Sequence, residues 1–188
     1  MFNAKVIENF ISQDDAELII NAAIESNLWQ NGGSEFWDNR VINYNDMLKF
    51  NNNIAKIILD ANIKCGQKIK EEFNLQHPVY SDTLQIVRWF PGMEQPPHAD
   101  DMSNTDIPGF AHRIFGSIIY LNDNYNGGHT YYPNYNFDIS PKTGTLAIHP
   151  GDPEHLHGVT KIENGMRYTI SSFWTHEKGK AYVWPIPK

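Results

Sequence analysis

His98, Ala99 and Asp100 set an imidazole and a carboxylate two residues apart. In a strand that spacing turns both side chains to one face, where they could converge on one cation. Further along, His155-Leu156-His157-Gly158-Val159 offers two more imidazoles, again two apart. Two histidines and one carboxylate bind one face of Fe(II) and leave the other positions open. Either His155 or His157 could complete such a set. Arg167 follows His157 by ten residues, beyond Asn164-Gly165. A hairpin turning at that dipeptide would lay the Arg167 strand alongside the His157 strand.

Charge bookkeeping gives the arginine a purpose. Fe(II) with two neutral imidazoles and one carboxylate keeps one positive charge. A chelating dicarboxylic keto acid brings two negative charges. One deeply placed arginine restores neutrality and can grip the distal carboxylate with two parallel hydrogen bonds. Such a cation would be costly to bury without that partner.

These groups need a scaffold, and the chain divides into a helical front (1–76) and a strand-rich back (77–188) within one domain. Ser12 and Asp15 form a capping-box-like start, followed by Ala16, Ile19, Ile20 and Ala23 at helical spacing, which predicts a helix over 13–26. Ile54, Ile57, Ile58, Ala61, Cys65 and Ile69 predict a second helix over 48–73. Asn51–Asn53 inside it reads as local bias. The intervening loop, with Gly32, Gly33, Phe36, Trp37, Arg40 and Tyr44, suggests a flap over a site. Past Val79, short apolar or alternating runs predict strands at 81–90, 97–101, 113–121, 129–132, 145–149, 155–160, 167–174 and 181–184. Turn chemistry separates them, as at Pro91-Gly92 and Asn126-Gly127-Gly128. Eight short strands behind two helices point to a mainly β fold, a jelly roll or barrel.

Composition narrows the function. The 188 residues carry a net charge of −7, which argues against nucleic acid as a partner. No apolar run approaches a membrane span. The first ten residues do not read as a secretory signal, so a cytoplasmic location is expected. A single cysteine, Cys65, excludes an internal disulfide framework and a multi-cysteine zinc site. His77, His112, His149 and His176 read as structural or surface groups.

The chain resembles the Fe(II)/2-oxoglutarate-dependent dioxygenases, specifically their prolyl 4-hydroxylase-like branch. Residues 6–12 (Val-Ile-Glu-Asn-Phe-Ile-Ser) are similar to that branch's approach to its first helix. Residues 84–92 (Leu-Gln-Ile-Val-Arg-Trp-Phe-Pro-Gly) followed by His98-Ala99-Asp100 look like the strand that leads to two iron ligands. Tyr120-Leu121-Asn122-Asp123, Gly127–Pro133, Pro141–Gly144, His157-Gly158-Val159 and Arg167-Tyr168-Thr169 continue the pattern in order. The sequence departs from it at Trp89, where tyrosine is common, at His129, where glutamate is usual, and at Arg167, where many prolyl 4-hydroxylases carry lysine.

The resemblance implies a double-stranded β-helix with His98, Asp100 and His157 as iron ligands and Arg167 on the distal carboxylate of 2-oxoglutarate. Tyr120 would add a hydroxyl to that carboxylate, and Thr169 could add another. The implied cofactors are Fe(II), 2-oxoglutarate as co-substrate and O₂, with room for ascorbate. The implied reaction hydroxylates a C–H bond and releases succinate and CO₂. Prolyl residues of a peptide or protein are the expected substrate. The alternatives are a free amino acid or other small molecule, or a non-enzymatic jelly-roll binding module. Arg113 or Arg88 could meet a substrate carboxylate.

Overall fold

The computed structural model describes residues 3–30, 34–102 and 109–187; Gly32 and Gly33 of the expected loop lie outside the described residues. In chain order the elements are Lys5–Ile7 (β1), Gln13–Ser26 (α1), Val41–Asn43 (β2), Tyr44–Phe50 (α2) and Asn52–Glu72 (α3). Then come Tyr80–Trp89 (β3), Gln95–His98 (β4), Phe115–Tyr120 (β5), Asn126–Gly127 (β6), Thr130–Tyr132 (β7) and Phe137–Ile139 (β8). Leu146–Pro150 (β9), His157–Val159 (β10), Ile162–Asn164 (β11) and Arg167–Thr175 (β12) complete the set.

A six-stranded sheet runs in the order β1-β9-β5-β12-β3-β2. A four-stranded sheet has the order β4-β10-β7-β8, and β11 pairs with β6. Every strand pairing is antiparallel, and the whole is a double-stranded β-helix backed by helices. The front is not purely helical, because β1 and β2 cap the two edges of the large sheet.

Period-two alternation gives the large sheet its two faces. On β3 and β12, Leu84, Ile86, Tyr168, Ile170 and Trp174 join Ile19, Ile58 and Ile69 of the helices in the main core. The intervening Val87, Trp89, Arg167, Thr169, Ser171 and Phe173 line a cleft on the other face. The core therefore sits between helices and sheet, and the polar groups are left to the space between sheets.

The helix expected over 13–26 forms, with Ser12 Oγ accepting from Asp15 N at 3.0 Å. The expected 48–73 helix is instead two helices joined at Asn51. Its side chain accepts from Asn53 N and Ile54 N, an N-cap geometry that competes with helix continuation. Residues 181–184 form no strand. They belong to a strap held by Tyr182 N on Ser81 O, Trp184 Nε1 on Ser81 Oγ, and Tyr44 Oη on Pro185 O. Pro185 and Pro187, lacking N–H groups, suit a strap better than a ladder. Among the described residues, no helix is long and apolar enough to cross a membrane.

The two-stranded sheet fixes the approach to β12. Ile162 N donates to Met93 O and Gly92 N to Ile162 O, tying β11 to the turn before β4. Gly127 has φ of +72°, and a Cβ there would collide with the carbonyl of Lys161. Gly127→Ala should cost at least about 2 kcal/mol in urea unfolding, because strain and a backbone clash coincide.

Candidate active site

Antiparallel pairing of β4 with β10 puts His98 directly opposite His157, with ring centroids 4.5 Å apart. Asp100 lies just past the end of β4. Its Oδ1 is 3.8 Å from His98 Nε2 and 3.5 Å from His157 Nε2. One donor atom from each of the three lies within 4.8 Å of the others. Asp100 and His157 are buried, while the His98 side chain is 32% exposed and marks the mouth of the cleft.

The protonation states follow from the surroundings. His98 Nδ1 faces Pro96 O at 3.2 Å, and His157 Nδ1 faces His155 O at 3.3 Å. A carbonyl can only accept, so each Nδ1 carries the proton and each Nε2 turns a lone pair toward Asp100. Burial lowers His98, with His157 adding to the effect, and takes His157 down to about 4. Both rings are therefore neutral at pH 7. Burial raises Asp100 to about 6, and its Oδ2 has no hydrogen-bond partner.

Two lone pairs and one carboxylate thus converge in a buried place with no proton between them at neutral pH. Three acceptors so arranged repel unless a cation joins them. This donor set fits a hard-to-intermediate divalent metal such as Fe(II) and leaves one side open.

The opposite end of the cleft carries the reverse charge. Arg167, at the start of β12, is 1% exposed, and its Nη2 donates to Thr130 Oγ1 at 3.4 Å. Tyr120 Oη and Thr130 Oγ1 are 2.6 Å apart. No carboxylate pairs with Arg167 among the described residues, and its Nε has no partner. The buried Trp89 Nε1 is likewise without a partner, and the Tyr125 hydroxyl faces Arg167. Thr169 lines the cleft between them, paired across the sheet with Tyr120 and Val87. A buried cation ringed by hydroxyl and indole donors is a receptor for a carboxylate.

Several expected groups are placed elsewhere. His155 ends a 3-10 turn, Pro153–His155, so the strand begins two residues later than expected. Its Nδ1 is 2.8 Å from Asp152 Oδ1 and its ring packs on Tyr135, away from the three-residue cluster. Tyr44 is buried in α2 and plays no part in a flap, while Trp37 does line the cleft. Arg113 is tied to Asp82 at 2.9 Å and lies over the Phe173 ring. Arg88 is bonded to Asn39.

Sequence reasoning missed three neighbours. Thr130 joins Tyr120 to Arg167, and its place on β7 is set by pairing that no local pattern announces. Tyr125 stands beside Arg167 across Gly128. His149, read as structural or surface, is fully buried with its ring 4.0 Å from that of His157 and Nδ1 3.7 Å from Asp100 Oδ2.

Two measurements test the site's construction. A Cβ on Gly116 would collide with Asp100 Oδ2 and crowd His149. Gly116→Ala should therefore weaken Fe(II) or Mn(II) binding by about tenfold or more while leaving Arg167 untouched, as read by metal titration. Because the imidazoles are already neutral, Asp100 is where protons compete with metal. Metal affinity should fall about tenfold per unit as pH drops below about 6 and flatten above it.

Comparison with known proteins bears on these groups together. The model of the 2OG-Fe(II) oxygenase superfamily matches residues 84–176. A protein of Acanthamoeba polyphaga mimivirus named "Putative prolyl 4-hydroxylase" is 30% identical over an alignment of 126 residues, gaps included, that covers 60% of this chain. The chain spans about half the length (51%) of that relative. Among solved structures, the viral collagen prolyl hydroxylase of Paramecium Bursaria Chlorella virus-1, in complex with 2OG, matches with TM-score 0.73 at 20% identity. That match covers 94% of this chain and 97% of that one. A Trichoplax adhaerens prolyl hydroxylase, in complex with a hypoxia inducible factor peptide fragment, matches with TM-score 0.67 at 18% identity, over 96% and 86% of the two chains. The strands carrying the whole constellation lie inside the segment that matches the 2OG-Fe(II) oxygenase superfamily, and the chain has the fold of the solved prolyl hydroxylases.

Proposed function

We propose that this chain is an Fe(II)- and 2-oxoglutarate-dependent hydroxylase of prolyl residues in a peptide or protein. The observation that carries the reading is the pairing of opposites in one cleft: three convergent acceptors at one end and an unpaired buried arginine at the other. Such a cleft suits a metal and an anion together, and a 2-oxo dicarboxylate has a chelating end for the one and a second carboxylate for the arginine.

His98 Nε2, Asp100 Oδ1 and His157 Nε2 would hold Fe(II). When bound, the metal would activate O₂, the oxidant, and so couple decarboxylation of the co-substrate to C–H hydroxylation. The balance is one O₂ and one 2-oxoglutarate consumed, with one oxygen atom delivered to the C–H bond and the other to succinate, and CO₂ released. Arg167 orients the distal carboxylate, with the Tyr120 and Thr130 hydroxyls completing its donors. The imidazole Nδ1–H bonds to Pro96 and His155 carbonyls fix both rings. Val87, Trp89, Val159 and Phe173 make the walls apolar, which excludes water and strengthens the charge interactions inside.

The prolyl assignment draws on the relative from mimivirus, on the shared prolyl-hydroxylase fold, and on Trp37, Trp89 and Phe173 at the cleft. Flat aromatic surfaces suit the rigid ring and extended backbone of a proline-containing peptide. The sequence expectation of a flap narrows to Trp37, whose ring packs edge-on to Trp89 at 5.8 Å.

Incubation with Fe(II), 2-oxoglutarate, O₂ and a panel of proline-containing peptides and free amino acids tests this reading. Succinate release with a +16 Da product on proline is expected, reduced about tenfold or more in Trp37→Ala. Oxidation of a free amino acid with untouched peptides would overturn the prolyl assignment. Arg167→Ala should raise the 2-oxoglutarate concentration for half-maximal turnover by about 100-fold, and Arg167→Lys by less, since lysine keeps the charge and loses the fork.

A further inference from the structure

A second arginine, remote in sequence from Arg167, is buried against the same indole. Arg40 is 0% exposed. Its guanidinium carbon stands 4.0 Å from the Trp89 ring centroid, 4.5 Å from that of Trp37 and 4.6 Å from that of Phe36. Nε donates to Arg88 O at 3.0 Å and Nη1 to Phe36 O at 2.7 Å, so the side chain clasps the 3-10 turn Glu35–Trp37 to β3. Nη2 has no partner, and no carboxylate pairs with Arg40 among the described residues.

Arg167 lies 5.3 Å from the same Trp89 centroid. The two guanidinium carbons are therefore within about 9 Å of each other, through a medium of low polarity where charges interact strongly. Burial first and Arg167 second pull Arg40 down to about 10, still charged at pH 7. Two buried cations with no anion between them oppose each other's presence. The bonds to Arg88 O and Phe36 O need donors, but they do not need a second full positive charge this close to Arg167.

We propose that Arg40 is a positioning residue for the co-substrate, a second cation that selects a doubly charged 2-oxo acid and couples its binding to docking of Trp37 over the cleft. The inference rests on the hydroxylase reading above. A dicarboxylate at Arg167 removes the repulsion that Arg40 meets when residues 34–40 are docked. By linkage, a docked turn then holds the dicarboxylate more tightly, and the dicarboxylate holds the turn. A 2-oxo acid lacking the distal carboxylate brings one negative charge and gains less from the second cation. Trp37 is the part of this turn that lines the cleft, so the substrate meets a finished wall only after the co-substrate has arrived.

The test uses the full chain loaded with Mn(II), which permits binding without turnover. 2-Oxoglutarate and 2-oxobutanoate are compared by tryptophan fluorescence and by backbone hydrogen exchange over 34–40. In the wild type, saturating 2-oxoglutarate should slow exchange over 34–40, and 2-oxobutanoate should slow it less. Arg40→Met should weaken 2-oxoglutarate about tenfold and 2-oxobutanoate little, and Arg40→Lys should recover most of the difference. Equal weakening of both ligands would reduce Arg40 to a packing role and overturn the proposal. So would unchanged exchange in the wild type at saturation, a result that needs no variant to fold. Failure of the wild type to bind 2-oxoglutarate at all would instead overturn the hydroxylase reading on which the proposal stands.

Discussion

Buried charge without an opposite charge among the described residues is the constraint around which this structure is organised. Asp100 at one end of the cleft and Arg167 at the other are both buried, and among the described residues no Lys or Arg is ion-paired with Asp100 and no carboxylate with Arg167. Leaving a charge unpaired in an apolar surround is among the costliest things a fold can do. Both groups line one cleft without forming an ion pair with each other, an arrangement that a metal and a dianion would answer together. The neutral imidazoles follow from the same setting, since the burial that raises Asp100 toward about 6 also strips the proton from His98 and His157.

The rest of the molecule holds these ends in register. β12 is the central strand, paired to β5 on one side and β3 on the other, and it carries Arg167, Thr169, Ser171 and Phe173 into the cleft. Its alternate residues are anchored in the main core against α3 and the strap, where Ser172 Oγ donates to Asn62 Oδ1 and Trp174 Nε1 to Ser117 Oγ. Helix packing therefore reaches the site through the pleat, one residue at a time. The small sheet contributes the candidate metal-binding end through the pairing of His98 with His157. Close approach at Gly116 allows Asp100 and His149 to sit behind it.

Residues that carry chemistry at short spacing were legible in the sequence, and so was the jelly-roll class. His98 and Asp100 do converge, but β4 ends at His98 and Asp100 comes from the turn that follows, not from strand alternation. The hairpin expected to lay the Arg167 strand beside the His157 strand does not form: β10 pairs with β4 and β7 in the small sheet, β12 with β3 and β5 in the large one, and the two residues face one cleft from different sheets. Groups whose neighbours are set by tertiary pairing were not legible. His155 and His157 share a spacing that suggested one face, yet Pro153 starts a 3-10 turn and sends His155 to Asp152. Asn51 looked like compositional noise within a long apolar pattern, and it is the cap that divides α2 from α3. β1 and β2 are three residues each, too short to show a period, and form only because the large sheet has edges to fill. Thr130, Tyr125, His149 and Arg40 approach the site from four different segments, so no local pattern could join them.

The central claim is that one cleft binds a divalent iron and a 2-oxo dicarboxylate as a single chelate. An anaerobic titration reads this directly, because a 2-oxo acid chelated to Fe(II) gives a visible charge-transfer absorption that neither partner gives alone. The account requires that band in the wild type at one equivalent of iron, its loss in Asp100→Ala, and saturation only at much higher 2-oxoglutarate in Arg167→Met. A wild type that never develops the band, or an Asp100→Ala variant that develops it at the same iron and 2-oxoglutarate concentrations, would contradict it.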